Sequence, residues 1–233
     1  MCTVTFLPLK NNNFILTSNR DETPLRETFP PQKYIEDNIE LVFPKDKKAG
    51  GTWIGTSSKN RLVCVLNGAF EEHIRKEKYS KSRGVISKEI LKSDRFIDYI
   101  NHLDLTNIEP FTMVIVDWNN PTLDLYEFIW DEHKKHFSKL ENVSKIWSSS
   151  ALYKDDMQEV RKTWFKNWVS ENKFETSTIL NFHHSEIGDK EQSILMKRPK
   201  VETVSITSVK KDGLEIEMLY EDLIYNEIYE TII

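Results

Sequence analysis

The chain has 233 residues, and its 32 Lys and Arg against 37 Asp and Glu give a formal net charge of −5. The hydrophobic fraction of 39% and the aromatic fraction of 11% are enough to form a folded core, which excludes disorder of the whole chain. Charges of both signs are mixed and no long basic run occurs, so we expect no nucleic-acid partner.

Chain length and cysteine content indicate the number of domains and the cellular compartment of the protein. We predict a single domain over residues 1–233, because no linker, repeat or low-complexity block divides the chain. Two cysteines cannot form a disulfide framework, and the sequence shows neither a signal peptide nor an apolar run of about 18 residues. We therefore expect a cytoplasmic protein with no membrane span.

The first part of the chain predicts a β-hairpin. Residues 2–7 and 14–18 are β-branched and alternating, and the three asparagines at 11–13 between them are a turn signal. A turn near residue 12 pairs positions whose numbers sum to about 23 to 25. This register places Cys2 opposite residues 21–23.

Two further predictions concern the next fifty residues. Residues 24–48 are rich in proline and charge, which predicts a long surface excursion. A second hairpin follows, with strands at residues 50–56 and 61–67. In it Gly50 and Gly51 face the far end of the second strand, where glycine permits close approach by a ligand or a neighbouring strand.

The rest of the chain predicts grouped helices and strands, which indicates the α+β class. A helical region over residues 85–103 breaks near Ser93, which can act as the N-cap of a second short helix. The other predicted elements are a hairpin at 111–116 and 123–128, helices at 155–169 and 177–184, and strands at 201–209 and 214–220. The helix at 155–169 presents a core-facing stripe of Met157, Val160, Trp164 and Trp168.

A cysteine directly after Met1 is a candidate nucleophile. Aminopeptidases remove Met1 when the next side chain is small, which would make Cys2 the first residue. Its α-amine, with a pKa of about 8, could then serve as base for a thiol with a pKa of about 8.5. The alternative interpretation is an ordinary start of an edge strand.

The predicted hairpin brings a polar cluster near Cys2, formed by Asn19, Arg20, Asp21 and Glu22. An arginine favours the thiolate, a carboxylate holds the ammonium form of the chain start, and an asparagine can donate to an oxyanion. Arg20 and Asp21 point to opposite faces of a regular strand, so both reach one site only where the strand kinks or ends. The alternative is a polar strand end with an ordinary surface ion pair.

Other candidate sites are weaker. The histidine pairs at 133/136 and 183/184 have no cysteine or carboxylate partner at metal-ligand spacing, so we expect solvated histidines, no metal site and no cofactor. Cys64 lies in an apolar run and is expected to be a small buried core residue.

Several motifs together resemble the NRDE family, whose animal members are called transport and Golgi organisation protein 2. They are Met1-Cys2-Thr3, Asn19-Arg20-Asp21-Glu22, and Gly50-Gly51-Thr52-Trp53-Ile54-Gly55 leading to Asn67. Two later segments, 148–152 and 200–205, are also similar. In them Ser150 stands where the family often has asparagine, and Lys200 stands where some members have arginine.

The resemblance implies an N-terminal nucleophile hydrolase fold, a four-layer α/β/β/α sandwich of two antiparallel sheets. It also implies that Cys2 is the nucleophile, that Arg20 and Asp21 organise it, and that Asn67 is an oxyanion donor. The further binding residues that it implies are Asn19, Glu22, Gly50, Gly51, Trp53, Ser150 and Lys200.

Two functions follow as expectations from this resemblance. The first is a hydrolase that cuts a non-peptide amide bond of a small molecule through an acyl-enzyme. The second is a non-catalytic carrier of a hydrophobic ligand, haem or lipid, because animal relatives are associated with haem or lipid handling and because Ser150 and Lys200 depart from the family pattern.

Overall fold

The computed structural model describes residues 3–233, which form thirteen strands and four helices. The strands are β1 (Thr3–Pro8), β2 (Phe14–Glu22), β3 (Thr28–Glu36), β4 (Ile39–Asp46), β5 (Ile54–Ser57), β6 (Arg61–Asn67), β7 (Phe111–Asp117), β8 (Asp124–Trp130), β9 (Lys135–Leu140), β10 (Lys145–Ser148), β11 (Glu202–Asp212), β12 (Glu215–Asp222) and β13 (Glu227–Ile232). The helices are α1 (Arg83–Lys92), α2 (Phe96–His102), α3 (Asp155–Glu171) and α4 (Thr176–His183).

The chain forms two compact units, each with its own antiparallel sheet. The first unit combines the residues up to Arg26 with Val143–Ile233, and the second is Glu27–Asn142. The first sheet has the strand order β10-β1-β2-β11-β12-β13, and the second runs from β3 to β9 in chain order. The predicted α+β class with two antiparallel sheets is confirmed, while the single domain stays a prediction.

The first hairpin is confirmed, but its predicted register was wrong. Asn11 and Asn12 form the turn, each with a φ of 59°. The ladder pairs Thr3 with Asn19, so the numbers of paired residues sum to 22 instead of 23 to 25. The difference arises because the ladder is centred on Asn11, one residue earlier than expected.

The segment predicted as a surface excursion, residues 24–48, instead contains the hairpin of β3 and β4. Its turn uses Asp37 and Asn38, whose φ values are 53° and 62°. The two prolines lie in edge strand β3 where the pairing register shifts between Phe29 and Gln32. An edge strand tolerates proline at such an irregularity because no ladder hydrogen bond is lost there.

Each unit buries one face of its sheet under helices. In the second unit α1 packs on β5 and β6. In the first unit α3 contacts β10, and α4 contacts β2 and β11. The core under α3 and α4 consists of Leu7, Ile15, Ile146, Phe165, Ile179, Phe182 and Ile194. These helices therefore cover the sheet face next to the start of β1.

The buried stripe of α3 is displaced from the predicted one. Val160 is 39% exposed, whereas Arg161 and Phe165 are buried. Trp164 and Trp168 pack half-buried against the same core. The buried face of α3 was predicted wrongly because it contains Arg161, and hydropathy does not assign an arginine to a core.

The helical region at 85–103 breaks near the predicted residue, but its cap was assigned to the wrong helix. The amide of Ser93 donates to the carbonyls of Glu89 and Ile90, so Ser93 ends α1. Arg95 is the residue that precedes α2. Across residues 3–233, the helices lack the length and apolar character needed to cross a membrane.

Candidate functional site

The predicted nucleophile, Cys2, lies outside the described residues, and the neighbouring Thr3 begins β1. Thr3 pairs with Asn19 of β2 on one side and with Ser148 of β10 on the other. The start of β1 is therefore flanked by the end of β2 and by the end of β10. The predicted polar cluster, residues 19–22, and the segment 148–152 therefore come together at this end of β1 in the first unit's sheet.

Asp21 is held in a buried position at the end of β2. One carboxylate oxygen accepts a hydrogen bond of 2.6 Å from the Thr203 hydroxyl, and the other lies 3.4 Å from the hydroxyl oxygen of Tyr153. The β2–β11 pairing shifts register between Thr203 and Ser205, directly opposite Arg20 and Asp21. Such a bulge re-aims side chains of β11, the strand that carries the extra residue.

Arg20 and Glu22 make contacts different from those of Asp21. Arg20 is 4% exposed, and its Nη1 donates to the Arg26 carbonyl at 3.3 Å. Glu22 is partly exposed and lies 3.4 Å from the Arg26 guanidinium. Alternation along β2 places Arg20 on the face opposite to Asp21. The two predicted organisers thus share a strand end but occupy different faces of the sheet.

Asn19 belongs to a buried network with a histidine. Its amide nitrogen donates to the carbonyls of His183 and Ile194, at 3.1 and 2.9 Å. Its amide oxygen lies 2.6 Å from Nδ1 of His183, and the Thr5 hydroxyl lies 2.8 Å from Nε2. Since an amide oxygen only accepts, Nδ1 carries the imidazole proton and Nε2 accepts from Thr5.

His183 is neutral in this network, and the expectation that it is solvated was wrong. The side chain is fully buried, and this burial, assisted by the nearby charge of Arg161, lowers its pKa to about 3. A polar atom can be buried this deeply when its hydrogen bonds are satisfied. His183 therefore ties α4 to β1 and β2.

Arg161 and Tyr153 complete the surroundings of the β1 start, and neither was predicted. Arg161 donates to the hydroxyls of Thr3 and Ser148, at 2.7 and 3.2 Å. Its guanidinium carbon lies 3.7 Å from the centre of the Tyr153 ring, within the range of a cation–π contact. A continuous series of contacts thus runs from Arg161 through Tyr153 to Asp21.

Ser150 lies in the turn that follows β10. The Ser149 carbonyl accepts from the amides of Leu152 and Tyr153, at 3.1 and 3.0 Å, which closes this turn. The Ser150 hydroxyl is buried and finds no hydrogen-bond partner among residues 3–233. Buried hydroxyls are normally satisfied, so a donor in this position is suited to a ligand or an ordered water.

Lys200 is placed differently from the other predicted residues of the first unit. It is exposed, and it occupies the turn closed by a hydrogen bond from the Arg198 amide to the Val201 carbonyl. Thr203, three residues later in the same segment, contacts Asp21.

The remaining predicted site residues belong to the second unit. Asn67 ends β6 and pairs with Phe111. Trp53 is 6% exposed, and its carbonyl accepts a 2.7 Å hydrogen bond from the Val65 amide. Gly50 has a φ of 68°, a conformation that favours glycine.

The need for glycine at position 51 is explained by helix α1. A Cβ on Gly51 would lie 2.8 Å from the carbonyl carbon of Gly84, in the first turn of that helix. A Cβ on Gly84 would in turn lie 2.7 Å from the Thr52 carbonyl oxygen. The two glycines therefore permit close approach of two backbone segments of the second unit.

Gly51→Ala is expected to lower the free energy of unfolding by about 2–3 kcal/mol, because neither backbone segment can yield to the added methyl group. Gly50→Asn is the matched control: a Cβ there meets no atom within 4 Å, and asparagine adopts a positive φ at little cost. Urea denaturation of both variants checks this. Equal losses would show that the Gly51–Gly84 contact is not the reason for the glycine.

The structure also bears on the other candidates. Cys64 is fully buried, as predicted. His136 binds the Asp131 carboxylate at 2.7 Å. Within the described part of the chain, no group of three or more potential metal-ligating His, Cys, Asp or Glu side chains is found.

Three residues near the β1 start were missed by sequence reasoning: Tyr153, Arg161 and Thr203. Thr203 stands in a segment that the family resemblance had already identified, so a signal for it existed. Arg161 had a weaker signal, because it lies one residue from the apolar stripe of an amphipathic helix. Tyr153 directly follows the segment around Ser150, but its contact with Asp21 joins residues 132 positions apart.

Solved structures of an amidase, a hydrolase and an acylase have a fold similar to that of the chain. An N-acylethanolamine-hydrolyzing acid amidase ortholog from Caenorhabditis elegans matches with a TM-score of 0.62 and 9% identity, over 89% of this chain and 92% of that one. A variant of conjugated bile acid hydrolase from Clostridium perfringens matches with a TM-score of 0.53 and 11% identity, over 99% and 92%. Penicillin V acylase from Agrobacterium tumefaciens matches with a TM-score of 0.54 and 11% identity, over 98% and 85%.

These similarities are to the N-terminal nucleophile hydrolase sandwich, so the predicted fold class is confirmed. None of the curated proteins compared with the chain matches it significantly. The family model described as Transport and Golgi organisation 2 matches residues 1–218, which span both units. With the fold and the motifs in agreement, the chain belongs to the Transport and Golgi organisation 2 family.

Proposed function

We propose that the protein is an N-terminal cysteine hydrolase that cuts a non-peptide amide C–N bond. The observation that carries this proposal is the pairing of Thr3 with Asn19. Continuing that antiparallel register by one residue would set Cys2 opposite Arg20, next to the Asp21 carboxylate. On this register the thiol would share the face of Arg20, while the chain start would approach Asp21 at the end of β2.

In the proposed mechanism, removal of Met1 frees the α-amine of Cys2. The amine takes the thiol proton, and the sulfur attacks the amide carbonyl carbon to form a C–S bond. A backbone N–H stabilises the oxyanion. The ammonium then protonates the leaving nitrogen as the C–N bond breaks, and the amine activates water to hydrolyse the thioester.

Arg20 and Asp21 have complementary roles in this mechanism. The Arg20 guanidinium favours the thiolate form of Cys2. The Asp21 carboxylate stabilises the protonated chain start between proton transfers. Its hydrogen bond from Thr203, at 2.6 Å, supports this role because it fixes one carboxylate oxygen and so orients the other. Glu22, which is partly exposed and faces Arg26, contributes at the rim of the site.

We assign Ser150 as a second donor to the oxyanion. Its buried hydroxyl has no partner among residues 3–233, and it lies two residues beyond Ser148, which pairs with Thr3. A donor that is unsatisfied before the reaction can stabilise negative charge that develops during it. Serine would thereby take over the role that the family often gives to asparagine at this position.

Two measurements on the purified protein test the proposal. Intact mass spectrometry is expected to show a chain shorter by Met1. A panel of N-acyl compounds, suggested by the named activity of the C. elegans neighbour, is expected to include at least one that releases free amine. A retained Met1 would contradict the mechanism, because an amide nitrogen at Cys2 cannot act as base.

The second candidate is a carrier of a hydrophobic ligand on the same scaffold. The position of Lys200 favours it, because this residue sits at an exposed turn. A purified protein that carries haem colour or extractable lipid, and hydrolyses no N-acyl compound, would support the carrier over the hydrolase.

A further inference from the structure

Arg161 is a buried cation in the middle of an amphipathic helix. Its side chain is fully buried, one turn before Phe165 in α3. Burying a guanidinium is costly, and an apolar residue in a helix core serves stability at least as well. The contacts that Arg161 makes therefore indicate a role beyond packing.

One side of the guanidinium is fixed to the chain after α4. Nε donates to the Gln192 carbonyl at 3.1 Å, and Nη2 donates to the Ser193 carbonyl. Both acceptors are backbone atoms, and Ser193 is fully buried. These bonds set the orientation of the guanidinium plane, so the remaining nitrogen, Nη1, points in a defined direction.

Nη1 holds the ends of two paired strands. It donates to the Thr3 hydroxyl at 2.7 Å and to the Ser148 hydroxyl at 3.2 Å. Thr3 and Ser148 are direct partners in the β1–β10 ladder. Strand ends fray when nothing anchors them, and this contact anchors β1 at its first described residue.

The ionisable groups around Arg161 come from β2, from α4 and from the loop before β11. Asp21 of β2 is reached through the Tyr153 ring, and Arg198 lies 5.3 Å from the centre of the same ring. His183 of α4 is neutral, with a pKa lowered to about 3. Arg161 thus belongs to the same contact series as the carboxylate that is proposed to hold the chain start.

We propose that Arg161 is a positioning residue, which fixes the start of β1 so that Cys2 keeps its place during the reaction. This inference rests on the proposed function. Arg161 acts through Thr3 and does not touch the substrate. Its contribution therefore falls on the chemical step, because a small displacement of a nucleophile costs rate without weakening substrate binding.

Thr3→Val tests the contact with little change of shape. We expect kcat to fall about 10- to 100-fold, with KM within about twofold. Thr3→Ser keeps the hydroxyl and is expected to retain activity close to that of the wild type. Thr5→Val is the matched control, because it removes a buried hydroxyl two residues later that bonds His183 instead of Arg161, and kcat should stay unchanged.

A double-mutant cycle links the effect to Arg161. Lysine cannot reproduce the guanidinium fork, so Arg161→Lys is expected to lower kcat about as much as Thr3→Val. Because both changes remove the same contact, the double variant should lose no more than either single variant. Additive losses would overturn the inference.

Hydrogen exchange provides a readout that needs no turnover. The first amides of β1 are expected to exchange faster in Thr3→Val and at the wild-type rate in Thr5→Val and Thr3→Ser. Unchanged exchange in Thr3→Val, or an equal effect of Thr5→Val on exchange or kcat, would overturn the role of Arg161. Failure of the wild type to hydrolyse any N-acyl compound would instead overturn the proposed function, so the two failures are distinguishable.

Discussion

Cys2→Ala is expected to reduce kcat/KM for an N-acyl substrate by at least about 10⁴-fold, because it removes the thiol that is proposed to form the covalent acyl intermediate. Its fold should be intact, because the replacement removes a single sulfur atom. The measurement is initial-rate kinetics of amine release, with circular dichroism and thermal unfolding of the same preparation.

Cys64→Ala is the matched control for this experiment. Cys64 is the second cysteine of the chain and is fully buried in β6, where it packs as a small apolar residue. Its replacement should lower stability slightly and leave turnover close to that of the wild type. Cys2→Ser should retain a trace of activity, because a hydroxyl is a weaker nucleophile than a thiolate at neutral pH. Turnover by Cys2→Ala near the wild-type rate would refute the mechanism.

From the sequence, we could predict only those residues of the candidate site that stand together in a short motif. Asp21 and Arg20 stand in one short motif, and a hairpin turn of asparagines brings that motif back to the start of the chain. Arg161 and Thr203 come from distant segments, and their contacts depend on how α3 and β11 pack. A single sequence contains no measure of such packing, so the contacts of these two residues emerged only from the structure.

Strands were predictable where apolar and polar residues alternated between clear turn signals. Strands were missed where prolines or charged residues dominated the local sequence. The two prolines at 30 and 31 suggested a loop, although an edge strand tolerates them. The charged segment around Lys135 also concealed a strand, because β9 is an edge strand with mostly polar residues. In both cases the neighbouring strand supplies the backbone partners that make the element stable.

Asp117→Ala is expected to lower the free energy of unfolding by about 3–5 kcal/mol, because it leaves a buried cation without its partner. Arg61 is 2% exposed, and its Nε donates to the Asp117 carboxylate at 2.9 Å. Burial lowers the pKa of Arg61, and the adjacent Asp117 charge opposes this shift. The carboxylate therefore offsets part of the cost of burying the guanidinium charge inside the second unit.

The consequences of this substitution extend to both helices of the second unit. Nη1 of Arg61 donates to the carbonyls of Ile90 and Ser93, at 2.9 and 2.7 Å, and the guanidinium carbon lies 4.1 Å from the centre of the Phe96 ring. Arg61 thus holds the end of α1 and the start of α2 against β6. Losing its orientation would release these contacts together, which explains an effect larger than that of one hydrogen bond.

Urea denaturation of a small set of variants checks this prediction. Asp117→Asn keeps the acceptor oxygen but removes the charge, so its loss should be smaller than that of Asp117→Ala. Glu27→Ala removes the partner of Lys47 in an exposed ion pair, and exposed pairs contribute little, so its effect should be much smaller. If Asp117→Ala destabilised no more than Glu27→Ala, the Arg61–Asp117 pair would not be the contact that joins the helices to the sheet.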